Sequence, residues 1–163
     1  MHVFVYSDGG SRGNPGPAGS GFVIKNDAGK VLLKQAIFLG VRTNNQAEYY
    51  ALLKAMESLD PSVTSVTCRL DSQLVVRQLQ GVYKIKDATL RAIAQDIQRI
   101  AAKFAVEFQH IPREENTEAD AMANEAMDRG KNVGDTFSYY AASGCTSHVL
   151  LEKIPPTKKI ARF

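Results

Sequence analysis

Apolar and polar positions along the chain fall into two alternating rhythms. Residues 2–7 (His2-Val3-Phe4-Val5-Tyr6-Ser7) read as a strand, because β-branched and aromatic side chains suit a pleated, half-buried surface. A dense run of turn residues from Asp8 to Pro17 is expected to end it. Residues 19–25 form the next strand. Asn26-Asp27-Ala28-Gly29 marks a hairpin, and residues 30–41 return as a third strand. The period then changes. Leu52, Leu53, Met56 and Leu59 recur at helical spacing over residues 45–59, and Asp60-Pro61 stops the helix. Residues 65–70 are a fourth strand closing at Asp71. Ser72 opens a short helix that carries Leu74, Val75, Val76 and Leu79 and halts at Gly81. Asp87 is placed as the N-cap of a third helix with the stripe Leu90, Ile93, Ala94, Ile97, Ile100 and Ala101. Residues 105–111 form a fifth strand. Thr117 is expected to cap a last helix bearing Ala119, Met122, Ala123, Ala126 and Met127, with Gly130 as its stop.

A three-strand meander followed by alternating strands and helices implies an α/β fold. Its five-stranded mixed sheet has three antiparallel strands, then parallel ones, with helices on both faces. Residues 1–130 make the domain. Residues 131–163 form a C-terminal tail with no clear period before Ser147-His148-Val149-Leu150-Leu151, and the expectation there is an edge strand or a partly disordered end.

Composition narrows the function classes. With 163 residues, 44% hydrophobic and 23% charged, the chain suits one soluble domain with a sizeable core. No apolar run approaches the roughly 20 residues a membrane span needs. The N-terminal residues enter a strand with no leader pattern, so a cytoplasmic location is expected. The net charge of +3 is accounted for by the basic residues after Gly130, so residues 1–130 balance and the core carries no strong nucleic-acid signature. Two cysteines, Cys68 and Cys145, are too few for a disulfide scaffold and lack zinc spacing; they are expected as reduced thiols, with a mutual bridge as the alternative.

Four acids stand out by position: Asp8 after the first strand, Asp71 after the fourth, and Glu48 and Asp120 in the first turns of apolar helices. In mixed sheets, sites form at strand ends, and helix N-termini favour carboxylates. Each acid also has a bland reading as a solvated or turn residue, and Thr117-Glu118-Ala119-Asp120 resembles a capping box. Were the four to converge, their mutual repulsion would call for cations, and all-oxygen ligation selects Mg2+ or Mn2+. Two such ions about 4 Å apart are the usual apparatus for in-line attack on a phosphodiester.

Taken with their neighbours, the acids lie in four ordered blocks: Asp8-Gly9-Gly10-Ser11-Arg12-Gly13-Asn14-Pro15-Gly16, Thr43-Asn44-Asn45-Gln46-Ala47-Glu48, Leu70-Asp71-Ser72-Gln73, and the stretch from Ile111 through Arg113 to Asp120. Over roughly residues 1–130 this resembles ribonuclease H type 1. The resemblance implies the ribonuclease H-like fold, with Asp8, Glu48, Asp71 and Asp120 as catalytic metal ligands for two Mg2+ ions, Mn2+ being a possible replacement. It also implies endonucleolytic hydrolysis of RNA in an RNA/DNA hybrid, giving 5′-phosphate and 3′-hydroxyl ends. The partner is then the hybrid alone, with no membrane and no obligate protein partner, and a monomer is expected. Substrate contacts are implied for Gly9, Gly10, Ser11, Arg12, Asn14, Thr43, Asn44, Asn45 and Gln73. Asn44, Asn45 and Gln73 face the RNA-side groove, where 2′-hydroxyls distinguish RNA. Asn14 and Thr43 help seat a phosphate of the DNA strand.

Two departures from the family pattern matter. Where many members carry a histidine before the last acid, this chain has Arg113, which cannot act as a base and is expected to hold a phosphate or steer product out. His110 is expected to be structural. The stretch Gly81-Val82-Tyr83-Lys84-Ile85-Lys86 is too short for the basic protrusion helix of many bacterial members. Two other readings stay open: a catalytically silent hybrid-binding module, and another polynucleotidyl transferase of the same fold.

Overall fold

The computed structural model describes residues 1–135. Its elements run β1 (His2–Ser11), β2 (Gly16–Asn26), β3 (Val31–Arg42), α1 (Asn44–Glu57), β4 (Ser65–Leu70), α2 (Gln73–Leu79), α3 (Ala88–Ala101), β5 (Ala105–His110), a 3-10 turn (Arg113–Glu115), α4 (Thr117–Arg129) and β6 (Val133–Asp135). The sheet order is β5-β4-β1-β2-β3-β6. β1, β2, β3 and β6 pair antiparallel, whereas β4 and β5 run parallel to β1.

The expected five strands become six. β6 pairs with β3 through Ala36↔Val133, Gln35↔Gly134 and Lys34↔Asp135, three residues past the expected domain boundary. A strand this short carries no readable period. The edge strand expected at residues 147–151, and Cys145, lie outside the described residues. Residues 80–87 join α2 to α3 without a helix.

β1 does not stop at Ser7. It stays paired with β2 through Asp8↔Gly21, Gly9↔Ser20, Gly10↔Gly19 and Ser11↔Ala18. The glycines taken for a turn serve here as packing surface. Successive strand residues point to opposite faces, and the two faces are used differently. On one, Ser20 Oγ donates to the Ala47 carbonyl at 2.6 Å, and a Cβ on Gly9 would lie 2.2 Å from the Ala47 carbonyl carbon. On the other, a Cβ on Gly21 would sit 2.3 Å from the Ala119 oxygen, and one on Gly19 2.5 Å from the Ala123 oxygen. Helix backbones therefore press directly on the β1–β2 pair from both sides, α1 from one and α4 from the other.

The larger core lies on the α1 side. Val3, Val5, Phe22 and Ile24 pack with Leu52 and Met56 of α1 and Ile93 and Ile97 of α3. A smaller cluster of Ala36, Met122 and Ala126 sits under α4. No described helix is long and apolar enough to cross a membrane. Helix starts follow local chemistry. Thr43 caps α1 in a capping box with Gln46, Ser72 caps α2, and Asp87 caps α3 as expected. The cap of α4 is Asn116 rather than Thr117, and Gly130 closes that helix at φ 60°.

Because the room at Gly9 is filled by helix backbone, Gly9→Ala forces α1 off the sheet. The expected loss is about 2 kcal/mol or more, in the range of overpacked cores, read as a lower denaturation midpoint. Gly29→Ala, where a Cβ meets nothing within 4 Å, carries only the cost of its positive φ.

Candidate active site

The parallel pairing of β1 with β4 ends at Ser7↔Leu70. The next residue of each strand is an acid, Asp8 and Asp71, so both carboxylates stand where the two strands part. Such a crevice at strand ends is the usual place for a site in an open α/β sheet. α1 delivers the third acid: Ala47 rests on Gly9, and Glu48 is the next residue. α4 delivers the fourth. Ala119 rests on Gly21, the register partner of Asp8, so Asp120 arrives beside Asp8.

Carboxylate oxygens of Asp8, Glu48 and Asp71 lie within 4.8 Å of one another. Asp8 is 8% exposed. Burial pushes its carboxyl up to about 8, with help from the charge of Asp71 and from contact with Asp120, against an opposing hydrogen bond from the Gly9 N–H. Burial likewise raises Glu48 to about 7. The Ser72 hydroxyl, which donates to it, and the Arg113 guanidinium pull it down, and Asp71 pushes it up. Asp71 keeps one buried oxygen with no protein partner among the described residues. Acids crowded in this way, with the buried Asp8 and Glu48 holding their protons too tightly, make a donor set that suits a hard divalent cation.

Arg113 sits in the 3-10 turn, near enough to Glu48 to lower its carboxyl. The structure thus clusters Asp8, Glu48 and Asp71, sets Asp120 against Asp8, and places the charge of Arg113 within electrostatic reach of Glu48. His110 lies at the end of β5, with Nε2 3.2 Å from the Asp71 carbonyl.

Three of the expected substrate residues, Ser11, Asn14 and Asn44, bond to one another to form a shelf where the end of β1 meets the start of α1. Asn44 Oδ1 accepts from Ser11 N at 2.8 Å and Ser11 Oγ at 3.1 Å, while Asn44 N donates to Asn14 Oδ1 at 3.1 Å. With its oxygen so engaged, Asn44 turns its N–H2 to serve as a donor. Thr43 Oγ1 accepts from Gln46 N in the α1 cap. Gln73 is exposed at the start of α2, and Asn45 is half-buried. Gly10 is open, with nothing nearer than 3.8 Å to an added Cβ, whereas Gly9 faces α1. Arg12 is paired with Asp128 at the far end of α4. Two neighbours of the acids lie inside the signature blocks but were not expected as site residues: Ser72, whose hydroxyl reaches Glu48, and Asn116 at the start of α4.

A mixed sheet covered by helices on both faces, with a carboxylate cluster where β1 and β4 part, defines a protein of the ribonuclease H-like class with a cation-seeking centre. Residues 6–126 match the family described as reverse transcriptase-like. A ribonuclease HI of Halobacterium salinarum is 41% identical over 128 residues, 77% of this chain and 64% of that protein. A bifunctional protein of Mycobacterium tuberculosis is 40% identical over 131 residues, 78% of this chain and 36% of that protein. The crystal structure of LC11-RNase H1 in complex with an RNA/DNA hybrid aligns with a TM-score of 0.73 at 43% identity, covering 78% of this chain and 98% of that one. The chain belongs to the type 1 ribonuclease H family. It spans 36% of the mycobacterial relative and 64% of the halobacterial one.

The raised carboxyls set a pH dependence for the metal-free protein. A carboxyl whose folded pKa exceeds its unfolded value binds more protons when folded, so stability falls as pH rises between the two. In EDTA, the melting temperature should therefore decline from about pH 4, the ordinary carboxylate value, to about pH 8, where Asp8 titrates. Asp8→Asn should flatten that decline. A melting temperature that rises across this window would contradict the assigned crowding.

Proposed function

We propose that this chain is an endoribonuclease that hydrolyses the RNA strand of RNA/DNA hybrids, leaving 5′-phosphate and 3′-hydroxyl ends. The observation that carries this reading is the convergence of Asp8, Glu48 and Asp71, with Asp120 against Asp8, at an open sheet end beside an amide-lined shelf. Membership of the family supports it, as does the hybrid bound by the LC11 relative.

Asp8, Glu48, Asp71 and Asp120 are the residues we assign to hold two Mg2+ ions, with Mn2+ as a substitute. Such ions supply an activated water and stabilise the leaving oxygen. The chain's own groups do the rest. Ser72 fixes the Glu48 carboxylate by donating to it. Arg113 offers a permanent positive charge beside the acids, fitted to hold a substrate phosphate. Gln73 and the N–H2 of Asn44 present donors to the hybrid, with Asn45 next to them; Asn14 and Thr43, tied into the start of α1, seat a phosphate of the other strand. Ser11 and Gly10 form the floor under Asn44, and Gly9 contributes by admitting α1. Arg12 reaches the substrate only by exchanging its bond to Asp128. With no helix in residues 80–87, we read the chain as the variant without a basic protrusion, acting as a monomer with a salt-sensitive grip on the hybrid.

The deciding assay offers labelled RNA/DNA hybrid, duplex RNA and duplex DNA, each with Mg2+ and with EDTA. Cleavage should appear only in the RNA strand of the hybrid and only with the cation. Loss of a direct ligand should exceed the roughly 100-fold cost of losing an outer-shell partner, so Asp8→Asn and Asp120→Asn should each fall further than that. Cleavage that survives EDTA would sink the two-metal reading. Binding of hybrid without cleavage by the wild type would favour a silent module, and cleavage of duplex DNA another transferase of this fold.

Arg113→Ala should lower turnover by about 10-fold or more, the worth of a hydrogen bond to a charged group. Unchanged turnover would return Arg113 to an ordinary surface arginine.

A further inference from the structure

Asn116 is 1% exposed, which is unusual for a polar N-cap residue at the end of a loop. An N-cap asparagine ordinarily turns its side-chain oxygen back to accept from the first turn of its own helix. Asn116 does not: its side chain makes no capping hydrogen bond. Its Nδ2 instead donates across to the Ser7 carbonyl at 2.9 Å, and its Oδ1 finds no partner among the described residues. The residue thus forgoes a local bond and leaves a buried oxygen unmatched, which is unfavourable, to make one contact with another element. That contact is well placed. Ser7 immediately precedes Asp8, and the Asn116 carbonyl accepts from the Asp120 N–H at 3.1 Å. One residue therefore stands one bond from each of the two elements that carry Asp8 and Asp120.

We propose that Asn116 is a positioning residue that holds the first turn of α4 against the end of β1, through its side-chain N–H to the Ser7 carbonyl, and so fixes Asp120 beside Asp8. This rests on the reading of these acids as a metal site. Two carboxylates in contact repel, and a helix free to give way would relieve the strain by withdrawing Asp120. Glycines at 19 and 21 admit α4 to the sheet but do not pull it down. Asn116 supplies a directional tie at the one end of the helix where the repulsion acts. A site held in this way has its ligands in place before the cation arrives.

Serine and aspartate test the idea because both cap helices as well as asparagine does. Aspartate has no donor for Ser7, and the serine hydroxyl is too short to reach it. Asn116→Ser and Asn116→Asp are to be compared with wild type for kcat and KM on hybrid, for Mn2+ affinity by calorimetry without substrate, and for melting temperature. The expected result for Asn116→Ser is a fall of about 10-fold or more in both kcat and Mn2+ affinity, the usual effect of an outer-shell partner, with KM for hybrid unchanged. Asn116→Asp should fail to rescue either quantity. Wild-type kcat and Mn2+ affinity in both variants would overturn the proposal and leave Asn116 an ordinary cap. If neither variant folds, hydrogen exchange at the Asn116 side-chain amide in the wild type decides: a protected proton supports the tie and free exchange overturns it. A wild type that binds Mn2+ but cleaves nothing would defeat the nuclease reading alone, since the calorimetry still reports on Asn116.

Discussion

The close approach of two helix backbones to one pair of strands is the constraint on which the rest of the molecule depends. α1 and α4 lie on opposite faces of β1 and β2, and each rests where the sheet has no side chain. Gly9 admits Ala47, while Gly19 and Gly21 admit Ala123 and Ala119. Ordinary residues at these positions would hold the helices farther out by the depth of a side chain. Glu48 and Asp120, each one residue beyond a contact point, would then miss Asp8. The alanine-rich contact faces serve the same end, since small side chains let backbones meet. Packing thus sets the reach of the acids, and the strand register sets their address: Asp8 pairs with Gly21, the residue under Ala119.

Holding acids this close has an electrostatic consequence. Burial and neighbouring charge raise Asp8 to about 8 and Glu48 to about 7, so the metal-free fold carries an arrangement that is unfavourable to itself near neutral pH. The compensation is local and specific. The Gly9 N–H donates to Asp8, the Ser72 hydroxyl donates to Glu48, and the charge of Arg113 favours the ionised form of Glu48. Farther out, Tyr49 follows Glu48 into the core and donates its hydroxyl to Gln78 at 2.6 Å, tying α1 to α2 behind the site. These contacts do not neutralise the cluster. They fix it while leaving its charge to be satisfied from outside, as a cation site requires.

Much of this was legible in the chain. Helical and strand periods located every helix and the five longer strands among the described residues, and the four acids were visible because each follows a strand or opens an apolar helix. What escaped has a physical reason in each case. The run from Asp8 to Gly10 reads as a turn because glycine is the commonest turn residue; only the three-dimensional partner reveals that Gly9 is glycine for the sake of Ala47. Thr117 looked like a cap because threonine caps well, but the chain uses Asn116 and spends its side chain on Ser7. β6 is three residues long and is specified by its partner β3 rather than by its own pattern. Nothing local in the chain signals that Arg12 pairs with Asp128, more than a hundred residues away. Local patterns carry information on element type and on chemistry; they carry little on which backbone meets which.

The start of α1 shows why recognition and chemistry are hard to separate in this fold. Thr43 and Gln46 close the capping box that fixes where the helix begins. Asn44, the first helical residue, has its backbone N–H bound to Asn14 and its side-chain oxygen bound to Ser11, so the loop after β1 is clamped to the helix. Glu48 follows one turn later, and Ala47 between them is pressed onto Gly9. A shift of the shelf by even a fraction of an ångström would thus move a carboxylate, because cap, shelf and acid are parts of one rigid turn. Conversely, a ligand that pulls on the Asn44 amide loads the same turn that holds Glu48. On the proposed reading, binding energy from the groove would reach the acids through this single element, the arrangement expected where remote contacts serve to position the reacting groups.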